Sequence, residues 1–326
     1  MKGSGKYGWI PDVPDKRDYK FKVTKEVLDQ LPSSVDLNGE CPDVFDQGSL
    51  GSCTANAIGS AHQFEQMKQD HNKDFVPSRL FIYFNERDME GSIDSDSGAQ
   101  IRDGIKSVVS QGACPESLWP YNINKFRSKP SESCYQEAML HQVVQYMRVD
   151  QTLNEMKGCL ASGYPFVFGF TVYEKFESKE VVSTGIVNMP TQSESSMGGH
   201  AVMAIGYDDD TQRFLVRNSW GTTWGMKGNF TIPYAYLIDN DLAADFWTIR
   251  LVEVSDQPMP EPTPNPPSKN ICDLLFPASK AFVDGALLKA DAMRGSNFTP
   301  GVDHMFEAGL RNLQKFLTKS EKIRKI

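Results

Sequence analysis

The sequence predicts an α+β molecule of two lobes, helical in the first and strand-rich in the second. Three observations predict it. Apolar residues recur at helical spacing between residues 53 and 109, compact strand-like runs follow after about residue 143, and a proline-rich stretch separates everything beyond residue 270. With 326 residues, 40% of them apolar, the chain can build one large domain or two ordinary ones.

Residues 8–31 open Gly-Trp-Ile-Pro-Asp-Val-Pro-Asp and then turn charged. The prolines predict an extended arm, anchored by Trp9 and Tyr19, that either straps the domain or plugs a groove. Ala57, Ala61 and Phe64, widened by Ile58 and Met67, predict a helix after Cys53, with small residues suited to close packing on both sides. Leu80, Tyr83 and Phe84 predict a helix over 77–87, and Ile101, Ile105 and Val108 one over 99–109. Strands are predicted at Phe166–Val172, Ala201–Ile205, Phe214–Arg217 and Asn229–Ile232.

Residues 256–270 hold six prolines and read as a stiff spacer. Beyond it, Val302, Met305, Phe306, Leu310, Leu313, Phe316 and Leu317 form a helical stripe, with Thr299-Pro300 as its start. Residues 256–326 carry 10 basic and 8 acidic side chains and so differ in composition from the acidic remainder. This segment is too small for a large core, and either packs on the preceding domain or binds another protein.

The formal charge of -8 argues against nucleic acid as a partner. No run of ~20 apolar residues appears, so no membrane span is expected. The polar start lacks the ~7–15-residue apolar core of a secretory signal. A secreted and an intracellular location both stay open. None of the six cysteines forms a C-x-x-C pair, which leaves no zinc knuckle or redox motif.

The chemistry-bearing residues are local and distinctive. Cys53 follows a polar, glycine-rich turn and opens a helix, where unpaired N–H groups and the positive pole favour a thiolate. His200, in Gly-Gly-His-Ala-Val, stands at the mouth of an apolar strand. Asn218, in Asn-Ser-Trp-Gly, can accept the ring N–H of that histidine and fix its tautomer, with Trp220 covering the bond. His200 lies 147 positions after Cys53, and Asn218 lies 165 after it. His62, His71, His141 and His304 have no ligand spacing.

Joined, these pieces resemble the papain family of cysteine proteases over roughly residues 32–252. The resemblance rests on Leu31-Pro-Ser-Ser-Val-Asp-Leu37, Gln47-Gly-x-x-Gly-Ser-Cys53, Ser97-Gly98, Gly199-His200-Ala201 and Asn218-Ser-Trp-Gly221, in family order. It implies a papain-like fold, with a helical first lobe, an antiparallel β-barrel-like second lobe and an active cleft between them. With the proline-rich stretch and the flanking segments read above, the expected division is an arm at 1–31 that straps the domain or blocks its cleft, a peptidase domain at 32–255, a linker at 256–270 and a small helical extension at 271–326.

The implied roles are Cys53 as nucleophile, His200 as general acid and base, Asn218 as its orienting partner and Gln47 as oxyanion donor. Gly98, Gly199, Gly169 and Trp220 would line the substrate path. The implied resting state is an imidazolium–thiolate pair, the substrates are peptides or proteins, and neither metal nor organic cofactor is required. The resemblance places Phe168, Gly169 and Phe170 near an apolar pocket for the second residue before the cleaved bond, with its floor near 240–244, unless both phenylalanines are core. Asp239, Asp241 and Asp245 either favour basic substrates or are solvated.

Three departures from the family pattern stand out. Leu50 replaces a disulfide cysteine, Thr54 replaces an aromatic residue after the nucleophile, and about 30 residues replace a long helical propeptide. Two rival functions use the same residues: a catalytically silent binding protein of this fold, and a peptide ligase or transamidase.

Overall fold

A computed structural model describes residues 7–70 and 74–253. The expected linker at 256–270 and the helical extension at 271–326 lie outside the described residues. The elements run β1 (Trp9–Ile10), α1 (Lys25–Asp29), β2 (Ser34–Asp36), α2 (Cys53–Gln69), α3 (Arg79–Met89), β3 (Ala99–Gln100) and α4 (Ile101–Ser110). They continue with α5 (Glu132–Ala138), β4 (Val143–Arg148), α6 (Leu153–Ala161), β5 (Phe166–Tyr173), α7 (Lys179–Thr184), β6 (Ser196–Asp208), β7 (Arg213–Arg217), β8 (Asn229–Pro233), α8 (Tyr234–Ile238) and β9 (Ala243–Val252).

The two-lobed α+β expectation holds. Helices α2, α3 and α4 pack together in the first lobe, and the second is one antiparallel sheet of order β4-β9-β5-β6-β7-β8, with β2 added beside β6. Helix α2 is the seam. It packs on α3 and α4 and also on β6 and β9. Every residue from Cys53 to Gln66 is buried, which the alanines, Gly59 and Ser60 permit by letting neighbours approach on all sides. On the sheet side, Phe166, Phe168, Phe170, Phe246 and Phe214 stack edge to edge or face to face into the core. Phe168 and Phe170 are therefore core residues and not pocket walls.

The arm departs from expectation twice. It is extended at its start but turns helical at α1, where Thr24 Oγ1 accepts the Val27 N–H at 3.4 Å. Trp9 is an anchor; Tyr19 is not. The Tyr19 ring is 77% exposed, and its main chain is what is held, through the Arg148 N–H donating to the Tyr19 carbonyl at 2.7 Å. No helix among the described residues is long and apolar enough to cross a membrane.

Candidate functional site

Cys53 is the first residue of α2. Ser52 precedes it without capping the helix through its side chain, so the leading amides stay available to a negative charge at the sulfur. The Ser52 hydroxyl is engaged elsewhere, 2.5 Å from the Tyr121 hydroxyl. The backbone amides of Ala201, Gly8 and Thr54 face the Cys53 sulfur. Ala201 follows His200 directly on β6, so the front-lobe thiol lies at the seam against the strand that carries the back-lobe histidine.

His200 Nε2 lies 2.8 Å from Asn218 Oδ1. That oxygen also accepts the Ser219 N–H at 2.8 Å. Strand β7 delivers Asn218, whose own N–H donates to the Gly228 carbonyl. The Trp220 ring lies 5.0 Å from the imidazole, and Phe170 and Phe176 close the box. Gln47 is buried beside them. Its Nε2 donates to the Leu50 carbonyl at 2.9 Å, and its Oε1 accepts from Ser219 Oγ at 2.7 Å. His200, Asn218, Ser219 and Gln47 are thus joined by one run of hydrogen bonds.

The arm lies on this group. Gly8 O accepts the Ala99 N–H at 2.8 Å, and β1 pairs with β3 in parallel, Trp9 opposite Ala99. A methyl group on Gly98, itself at φ +75°, would come within 2.0 Å of the Gly8 oxygen. One on Gly169 would strike the Trp9 indole at 2.0 Å, and one on Gly199 the Trp9 carbonyl oxygen at 2.5 Å. The Tyr7 ring stands 6.2 Å from both His200 and Trp220. Residues 7–9 therefore touch all four positions expected to line the substrate path.

Burial under the arm changes the electrostatics. Desolvation pushes the Cys53 thiol up to about 12, against the smaller lowering from the facing amides. It also pulls His200 down to about 4, with Asn218 opposing. Both shifts run toward a neutral thiol and a neutral imidazole while the arm is in place.

Several contributors carried no sequence signal. Asp96 Oδ1 accepts the Gly51 N–H at 3.0 Å and the Tyr83 hydroxyl at 2.5 Å, and that hydroxyl accepts the Gly98 N–H at 3.2 Å. This chain of bonds ties the glycine turn before Cys53 to Gly98, the tether that Leu50 cannot supply. Thr54 donates to Glu86 Oε1 at 2.6 Å, a polar contact where an aromatic residue was the family expectation. Asp245 is buried, whereas Asp239 and Asp241 are exposed. Cys41, Cys53, Cys114, Cys134 and Cys159 are free thiols.

A thiol at a helix start, a histidine on the facing sheet and an asparagine behind it define the class of thiol hydrolases. The papain family cysteine protease profile matches residues 31–237. An uncharacterized peptidase C1-like protein of Acanthamoeba polyphaga mimivirus is 44% identical over 277 residues, covering 78% of this chain and 88% of the viral one. Xylellain, a cysteine protease from Xylella fastidiosa, superposes with a TM-score of 0.71 at 43% identity, covering 77% of this chain and 97% of its own. A procathepsin B from Trypanosoma congolense shares the fold, with a TM-score of 0.62 at 19% identity and coverage of 76% and 87%. The chain belongs to the papain family of cysteine proteases and is a cysteine peptidase.

Proposed function

We propose that this protein is an endopeptidase that works through an acyl-thioester on Cys53 and is held latent by its own residues 7–9. One observation carries the reading: Tyr7, Gly8 and Trp9 lie against Cys53, His200 and the four residues expected to receive substrate. Displacing the arm readmits water and removes the desolvation that keeps the pair neutral. At a helix start and beside an imidazolium, the thiol pKa then falls below that of a free cysteine.

The Cys53 thiolate attacks the scissile carbonyl. The developing oxyanion takes hydrogen bonds from the Cys53 N–H and from Gln47 Nε2, which turns from Leu50. His200, steered by Asn218, protonates the departing amine, then takes a proton from water as the hydroxide releases the acyl group.

Hydrolysis of a fluorogenic peptide by the full chain, alongside mass analysis of iodoacetamide adducts, tests this. Turnover should vanish in Cys53→Ser, and the adduct should map to Cys53. Undiminished turnover in that variant would end the assignment.

A further inference from the structure

Asp245 is buried in the second lobe, 3% exposed, at φ +60°. Between Val167↔Trp247 and Gly169↔Ala244 the β5–β9 register gains one residue on β9, and this bulge contains Asp245. Bulges re-aim side chains, and a non-glycine residue held in the left-handed region marks a position the fold sustains for a purpose. The carboxylate meets three donors. Oδ2 accepts Trp9 Nε1 at 3.1 Å and the Asp12 N–H at 2.7 Å, and Oδ1 accepts from Arg148 at 3.1 Å. Two of the three belong to the arm.

Gly169 and Gly199 leave room for the Trp9 indole. Once the arm leaves, a slot sized for a bicyclic ring remains, with a buried oxygen that has lost its donors. A purely hydrocarbon ring would fill the space but leave that oxygen unpaired, a costly outcome in a dry site.

Charge decides between the remaining donors. With the arm in place, Asp12, Asp18 and Asp245 share Arg102 and Arg148. Arm departure removes Asp12 and Asp18 and leaves one carboxylate between two guanidiniums. Glu90, the next acid outward, accepts the Gln100 N–H at 2.7 Å and forms no ion pair with either guanidinium among the described residues. Asp239 and Asp241 are exposed, where solvent and salt screen them. A cationic side chain would enter a site that already carries excess positive charge.

Resting on the peptidase reading above, we propose that the slot vacated by Trp9 selects a neutral aromatic side chain with a ring N–H, tryptophan above all, over arginine or lysine. Asp245 is the residue that reads the N–H.

The experiment uses full-length protein and fluorogenic peptides that differ only at the second residue before the cleaved bond: tryptophan, its isostere 3-benzothienylalanine, or arginine. All three compete for the same arm-displaced enzyme, so ratios of kcat/KM cancel the extent of displacement. Tryptophan should exceed the isostere by about tenfold or more and should also exceed arginine. Asp245→Ala should bring the first ratio close to one. Equal turnover of tryptophan and its isostere, or a preference for arginine, overturns the proposal. If no peptide is cleaved even by full-length Trp9→Ala, whose arm has lost its anchor, the peptidase reading fails by itself. Calorimetric binding of the same peptides to full-length Cys53→Ala still reads the slot: the same order of affinity supports the proposal, and equal affinities overturn it.

Discussion

Ser219 Oγ donates to Gln47 Oε1 at 2.7 Å, and this bond sets which face of the Gln47 amide carries the donor. Ser219 follows Asn218, whose carboxamide oxygen holds both His200 and the Ser219 N–H. One short segment thus orients the proposed base and the proposed oxyanion donor together. Ser219→Ala removes the bond without touching Cys53 or His200. It should lower kcat about tenfold with little change in KM, less than the 10²–10³-fold loss typical when an oxyanion donor is deleted outright. Steady-state kinetics of Ser219→Ala against Gln47→Ala measure the difference, and a Ser219→Ala change confined to KM would count against the positioning role.

Trp9 is the arm's most specific contact, seated against Gly169 and Gly199 and bonded to Asp245. Trp9→Ala forfeits both the ring's packing and that bond while leaving the peptidase core unaltered. The rates of Cys53 alkylation and of peptide turnover by the full chain should both rise at least tenfold, since ~2–4 kcal/mol of arm docking is lost. Unchanged rates would mean that the arm does not restrict the site.

One buried carboxyl makes arm docking sensitive to pH. Asp12 is raised to about 6 by burial and by the neighbouring Asp245 carboxylate. Its contribution to docking is full below its ordinary value of 3.8 and is lost as pH rises through about 6. His200 is lowered to about 4 and Cys53 raised to about 12 by burial. Release of the arm, however, moves the thiol proton to the imidazole, so the pair binds one proton in either state and adds little pH dependence. Latency in the natural sequence should therefore weaken as pH rises from about 3.8 to about 6. Asp12→Asn keeps only one of the two acceptor oxygens that Trp247 Nε1 and the Arg102 N–H use, a loss that does not vary with pH, and removes the group that favours docking in acid. The alkylation rate of this variant relative to the natural sequence should climb about tenfold or more on acidification across that window. A ratio independent of pH would mean that Asp12 does not carry this response.

The cysteine, the histidine and the asparagine were readable because each carries its setting in its immediate neighbours: a glycine turn and a helix start, a glycine pair before a strand, a polar turn after one. Contacts made across long separations had no such signature. Nothing near Asp245 announces a bond to Trp9, 236 positions away, and nothing near Asp96 announces the tether to Gly51. Strand β9 escaped notice because its bulge at Asp245 breaks the alternation of a regular strand. Helix α6 carries Gly158 where Val23 packs against the backbone, and a glycine in mid-helix reads as a break. Tyr19 misled for the opposite reason. An aromatic ring among charges was read as an anchor, whereas the backbone carries the contact.

Glu86 is the least expected group near the nucleophile. It lies fully buried on α3, its Oε1 accepts from Thr54 at 2.6 Å, and Oε2 has no hydrogen-bond partner among the described residues. Desolvation raises its carboxyl well above the usual range, with Thr54 opposing. The folded protein therefore binds this proton more tightly than the unfolded chain does. Its stabilising contribution is full below the ordinary carboxyl value of 4.5 and is lost progressively as pH rises toward the folded value. Glu86→Gln supplies a neutral side chain of the same shape that cannot titrate. Its melting temperature should approach that of the natural sequence near pH 4 and exceed it increasingly toward pH 7, by several degrees if ~1–2 kcal/mol is recovered. Thermal unfolding of both proteins across that range decides it. A gap that stays constant with pH would mean that Glu86 does not carry the proton in the folded state.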